Sequence, residues 1–229
     1  MRPDVVAIDG AAGSGKSTLA RLLAQKLGLP YVNTGAMYRA LTLAARRGEV
    51  DVEDEEALSR LMKTLDFTLS PVDRPEGTRP DPRELWIDGA PPSEELESAE
   101  VEVNVSAVAK HPIVRAAMRA AQRSLGEGGA VMEGRDIGTA VFPDAPVKVF
   151  LIAEPHERAG RRVEERGSED VAGALHERDR RDARVNPFVP AEDAVVIDTS
   201  DLDVDTTVRA ALAVVAQRAP ELLSRRSRS

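Results

Sequence analysis

The alternation of apolar and polar positions divides the chain into strands and helices. Val5-Val6-Ala7-Ile8 is an unbroken apolar run of strand length, and Leu19, Leu22, Leu23 and Leu27 follow at helical spacing over Ser17 to Leu27. Pro30-Tyr31-Val32-Asn33 reads as a short strand, with Thr34 as the N-cap of a second helix. Asp51 to Leu65 places Leu58, Leu61, Met62 and Leu65 on one helical face. The rhythm then changes: Phe67 to Ser70, a proline-rich stretch from Pro71 to Pro82, and Glu84 to Asp88 closed by Asp88-Gly89 predict a small β insertion that projects from the main sheet. Helical spacing returns over Ser93 to Ala109 and, beyond His111-Pro112, over Ile113 to Leu125. Strands are expected at Gly129 to Glu133, Val147 to Ile152 and Ala194 to Asp198, with helices over Glu154 to Arg166 and Val204 to Ala216. Strand–helix alternation on both sides of one insertion predicts an α/β protein with a parallel sheet, and no internal repeat is present.

Composition narrows the chemistry. The 229-residue chain has no cysteine, so disulfides and thiolate metal sites are excluded, and His111, His156 and His176 show no ligand spacing. A net charge of −8 argues against a nucleic-acid-coating surface. No apolar run reaches bilayer length and none resembles a secretion signal, so a cytoplasmic protein without nucleic-acid or membrane partners is expected. Local arginine clusters remain: Arg115, Arg119 and Arg123 at four-residue steps, which read as a largely solvated stripe, then Arg158, Arg161, Arg162 and Arg166, then Arg178, Arg180, Arg181 and Arg184. Arginine suits bidentate recognition of phosphate.

The decisive stretch lies between the first strand and the first helix. Gly10-Ala11-Ala12-Gly13-Ser14-Gly15-Lys16-Ser17 matches the phosphate-loop pattern G-x-x-x-x-G-K-[ST] at each fixed position, with Thr18 next in the helix. Glycines let successive N–H groups turn around phosphate oxygens, and the helix dipole reinforces them. Lys16 is expected on the β/γ-phosphates of ATP, and Ser17 on a Mg²⁺ ion carried with the nucleotide. Glu133 ends a buried strand where open α/β sheets bind ligands, which makes it the second candidate for that ion; Arg135 and Asp136 follow it into the same cleft.

Further motifs support a resemblance. Ile8-Asp9-Gly10, Thr34 to Arg39, Pro112 to Arg115, Glu133 to Thr139 with Val141-Phe142-Pro143, and Glu177 to Asp182 together resemble a bacterial cytidylate (CMP/dCMP) kinase of the nucleoside monophosphate kinase family, from Val5 to about Ala216. The resemblance implies a P-loop NTPase core (about 1–34, 107–153 and 186–219), a monophosphate-binding insertion (about 35–106), a helical lid (about 154–185) and a disordered basic tail over 220–229. It implies ATP and CMP or dCMP as substrates of a monomer. It puts Thr34, Arg39 and Arg135 near the CMP phosphate, Ser106, Arg115 and Asp136 on the base, and Arg178 and Asp182 near the sugar, with Tyr38 also in the CMP site. Lys16, Arg135, Arg158, Arg162 and Arg178 are the expected transfer residues. Relatives carry a lid arginine where this chain has Val185, with Arg184 nearest. A kinase for another acceptor, such as UMP or a small alcohol, and a nucleotide-dependent switch are the other readings; no Asn-Lys-x-Asp guanine motif is present.

Overall fold

The computed structural model describes residues 3–71, 82–166 and 189–224, with only the backbone at 162 and 164–166. The proline-rich stretch 72–81, most of the expected lid including Arg178, Asp182 and Arg184, and the basic tail beyond Ser224 lie outside the described residues.

A five-stranded parallel sheet is formed by β1 (Val5–Gly10), β2 (Tyr31–Asn33), β5 (Ala130–Gly134), β6 (Val147–Ile152) and β7 (Val195–Asp198), in the order β2-β5-β1-β6-β7. The expected strands fall within a residue or two of these bounds. β1 is central and buried on both faces, which is why it reads as a continuous apolar run rather than an alternating one. Its residues divide by the period of two: Val5 and Ala7 face one hydrophobic cluster, Val6 and Ile8 the other.

The second cluster is covered by α1 (Lys16–Leu27), α7 (Val204–Arg218) and α8 (Pro220–Ser224). α8 corrects the expectation of disorder from residue 220. Proline is favoured in a first helical turn, and Leu222 is fully buried, which contributes about 2 kcal/mol of apolar burial.

The first cluster is covered by α2 (Thr34–Arg47), α3 (Glu55–Met62), α4 (Ala99–Ala109) and α5 (Pro112–Gly126). α3 is shorter than its apolar spacing predicts, because Asp51 accepts from Glu53 N and Asp54 caps the helix through Ala57 N. The predicted helix from Ser93 is divided into a 3₁₀ turn, Glu94–Glu97, and α4, whose cap is Ser98. β3 (Phe67–Leu69) and β4 (Leu85–Ile87) make a separate antiparallel pair. It does not stand clear of the main sheet: Tyr31 N donates to Arg83 O at 2.7 Å, and Glu84 bridges to Tyr31. α6 (Pro155–Arg166) follows β6.

Candidate active site

The carboxyl ends of β1 and β5 lie side by side, and the loops leaving them form one cleft. Gly10 ends β1 at φ 146°, in a region open to glycine, and starts the phosphate loop. Ser14 Oγ donates to Ala11 O at 2.9 Å and is itself buried, and Thr199 Oγ1 donates to Ser14 O at 3.2 Å, so the loop is braced from within and from the β7 side. Lys16 Nζ donates to Ala11 O at 2.5 Å. Gly13 packs against Arg158, and a Cβ there would lie 2.8 Å from Arg158 O.

Of the residues expected to bind ATP, Ala12, Gly13, Gly15, Lys16, Ser17 and Thr18 border the cleft, whereas Gly10, Ala11 and Ser14 do not line it. Arg158 Nη1 reaches Ala12 O at 3.3 Å. The side chain of Arg162 is not described; Arg161, a member of the same arginine cluster given no site role by the sequence, donates through Nη1 to Thr199 Oγ1 at 3.1 Å and through Nη2 to Thr199 O at 2.5 Å. Arg161 thus supports the same residue that braces Ser14.

The same cleft is bordered by Thr34, Tyr38, Arg39, Ser106, Arg115, Arg135 and Asp136, together with Glu133. Sequence separation of about a hundred residues is closed by helix α2 on one side and the end of β5 on the other. Thr34 is not the N-cap. Asn33, already extended as the last residue of β2, accepts from Ala36 N, and Asn caps at least as well as Thr. Thr34 Oγ1 is thereby left to donate to Glu133 O at 2.7 Å. Tyr38 is partly buried beside Asp136, and its phenol is pushed up to about 12 by desolvation first and by that carboxylate second.

Glu133 accepts from Ser17 Oγ at 2.9 Å and from Tyr31 OH at 2.5 Å. Burial and the adjacent Glu133 charge hold the Tyr31 phenol well above its ordinary value, so it remains a donor. A hydroxyl and a carboxylate form the hard oxygen set that Mg²⁺ prefers, with nucleotide phosphates and water completing it, so these two residues fit the ion. Among the described residues no group of three or more metal-binding side chains occurs.

Asp136 is held more firmly than its sequence position suggested. Arg115 Nη2 donates to its Oδ2 at 3.0 Å and Arg119 Nη2 to the same oxygen at 2.7 Å. Arg123 donates to Val141 O and Ala140 O. The arginine stripe of α5 is therefore more than a solvated face: Arg123 remains exposed, yet all three members hydrogen-bond to the segment from Asp136 to Val141. Four-residue spacing put them on one side, but only the packing of α5 on this turn supplied their partners.

Asp9, part of the Ile8-Asp9-Gly10 motif but given no role by the sequence, is a further member of the site. It is buried, and accepts from Ile137 N and Gly138 N, both at 2.8 Å. Arg135 Nη1 donates back to Gly10 O at 3.2 Å. The two loops are thus tied by three hydrogen bonds. Burial pushes the Asp9 carboxyl up from 3.8 to about 6; the two amides and Lys16 oppose the shift, and Asp136 adds to it. Because the folded-state value is the higher one, this group's stabilising contribution is fully present below about pH 4 and is lost as pH rises through about 6. The stability difference between the native chain and Asp9→Asn, measured by urea unfolding, is accordingly expected to move in favour of the native chain by about 1 kcal/mol between about pH 7.5 and about pH 5. A difference independent of pH would show that Asp9 does not titrate there.

The cytidylate kinase family model matches residues 6–217, which include every residue lining this cleft. The chain belongs to the cytidylate kinase family. Cytidylate kinases similar to it include that of Pelotomaculum thermopropionicum, 45% identical over 92% of this chain and 95% of the relative. That of Limosilactobacillus fermentum is 43% identical, over 89% and 91%. That of Bacillus subtilis is 41% identical, over 93% and 96%. Among solved structures, a gluconokinase from Sinorhizobium meliloti aligns with a TM-score of 0.50 at 17% identity, covering 98% of this chain and 99% of the other, a likeness of fold alone.

Proposed function

We infer that this chain transfers the γ-phosphoryl group of ATP to CMP and dCMP, yielding ADP and CDP or dCDP, in cytoplasmic pyrimidine nucleotide metabolism. The observation that carries the reading is the shared cleft: a phosphate loop with Lys16 and Ser17 borders one cavity with Arg39, Arg115, Arg135 and Asp136, in a member of the cytidylate kinase family.

The acceptor is an anionic phosphate oxygen, so it attacks the γ-phosphorus without a general base, and the β–γ bridging oxygen departs with ADP. Alignment and charge neutralisation are what the protein must provide. Lys16 and the loop amides take the donor phosphates, with Arg158 beside them and Arg162 and Arg178 as further donor-side cations. Thr34, Arg39 and Arg135 receive the acceptor phosphate and offset the repulsion between two anions. Mg²⁺, held through Ser17 and Glu133 and accompanying ATP, supplies additional charge neutralisation. Asp136 accepts from the cytosine N4 amine, while Ser106 and Arg115 donate to N3 and O2, and Tyr38 lines this subsite. Both arginines that hold Asp136 use Oδ2, which supports Oδ1 as the oxygen that reads the base. Arg178 and Asp182 are assigned to the sugar. A monomer suffices for this chemistry.

The engagement of the cleft acids speaks against an alcohol acceptor, which calls for a carboxylate to take the hydroxyl proton. Asp9 is occupied by two amides, Glu133 by Ser17 and Tyr31, Asp136 by two arginines, and Glu97 by Arg39. Among the described residues no helix is long and apolar enough to cross a membrane, in keeping with substrates drawn from solution. An acceptor panel with ATP and Mg²⁺ tests the assignment. CMP and dCMP should be phosphorylated well, UMP poorly, and AMP and GMP hardly at all; UMP or AMP as the best acceptor would overturn it.

A further inference from the structure

Arg39 already has an anion beside it. Its side chain is 9% exposed, and its Nη2 lies 2.6 Å from Oε1 of Glu97, whose own side chain is 49% exposed. Both residues border the cleft. Glu97 is the last residue of the 3₁₀ turn Glu94–Glu97, which packs against α2. The turn does not depend on this pair for its position. Leu96 is buried in the first hydrophobic cluster, and two more ion pairs hold this stretch to α2: Arg47 with Glu95 of the turn at 2.5 Å, and Arg46 with Glu100 in the first turn of α4 at 2.7 Å.

We propose that Glu97 is a charge gate on the acceptor-phosphate subsite, a carboxylate that neutralises the buried Arg39 until the acceptor phosphate displaces it and that competes for Arg39 again after transfer. The proposal rests on the reading of Arg39 as a phosphate ligand. Near neutral pH a phosphate monoester approaches a dianion, and at Arg39 it meets the Glu97 carboxylate as a like charge in a poorly hydrated setting. A half-exposed glutamate can withdraw into water at small cost, whereas buried Arg39 cannot follow it. Only a ligand with a phosphate at Arg39 experiences this competition; the nucleoside without phosphate does not. Transfer also changes the balance, because the α-phosphate of the product has one ionisable oxygen fewer than the monoester and holds Arg39 less strongly. Return of Glu97 to Arg39 therefore favours product release.

Glu97→Gln separates charge from shape, since the amide oxygen still accepts from Arg39. Calorimetric titration of the full chain with CMP, CDP and cytidine tests the gate, with Glu100→Gln as the control for a neighbouring ion pair onto α2 from the start of α4. Glu97→Gln is expected to tighten CMP and CDP about three- to tenfold, the effect of removing one partly solvated like charge, and to leave cytidine unchanged. Glu100→Gln should alter none of them. Weaker CMP binding in Glu97→Gln would overturn the gate by showing that the carboxylate merely positions Arg39. So would equal tightening of CMP and cytidine, or the same gain in Glu100→Gln. If the native chain binds CMP no better than cytidine, the phosphate reading of Arg39 fails; if it prefers CMP and Glu97→Gln leaves that preference unaltered, only the gate fails.

Discussion

Lys16→Met is expected to lower turnover by about 10³-fold with every acceptor, the scale of removing a fixed charge aimed at transition-state phosphoryl oxygens. Methionine retains most of the apolar stem and discards the ammonium. The loop should survive the change, because Ser14 Oγ braces Ala11 O and Thr199 Oγ1 braces Ser14 O without help from Lys16. Lys16 Nζ rests on Ala11 O, so occupation by ATP requires only that the ammonium move from a loop carbonyl to a phosphate oxygen. Single-turnover transfer to CMP, accompanied by thermal unfolding to verify the fold, is the measurement. A rate within tenfold of the native chain would show that the ammonium is not needed in the transition state, and that the backbone amides and arginines carry the donor charge.

The donor half of the site was legible because its signal is local. Phosphate binding by a loop needs a strand, a glycine turn and a helix in succession, and all three are written consecutively from Val5 to Leu27. The apolar run Val147–Ile152 was equally clear, since a strand buried on both faces leaves no ambiguity of period. Partnerships that depend on strand order were not legible. Tyr31 meets Glu133 because β2 lies beside β5, with Asn33 paired to Glu133 and Tyr31 paired two residues back to Val131. Nothing in either segment names the other. Asp9 meets the turn after Asp136 for the same reason, β1 being the other neighbour of β5. Thr34 was misplaced by a contest between adjacent good caps, and the start of α3 by an aspartate turn, both local hydrogen bonds within reach of apolar spacing but invisible to it. The acceptor half rested on resemblance. What the structure contributes is its wiring: Arg119 behind Asp136, and Glu97 on Arg39.

That wiring makes Asp136→Asn the sharpest test of acceptor choice. The substitution preserves size and leaves an amide oxygen to accept from Arg115 or Arg119, so the turn it begins is retained; Ala140 N and Val141 N bond the backbone carbonyl of residue 136, which does not change. The side-chain nitrogen, however, now presents N–H where a carboxylate oxygen stood. Against the N4 amine of cytosine this sets donor against donor in a partly buried pocket, and kcat/KM for CMP is expected to fall about 100-fold. Against O4 of uracil the same N–H is a matched donor, so UMP should lose much less or gain, and the CMP-to-UMP preference should collapse. KM for ATP should remain within about twofold, because Lys16 and the loop amides are untouched. Equal losses for CMP and UMP would mean that Asp136 serves only to hold Arg115 and Arg119 in place, and base reading would then have to be assigned to Ser106 and Arg115 alone.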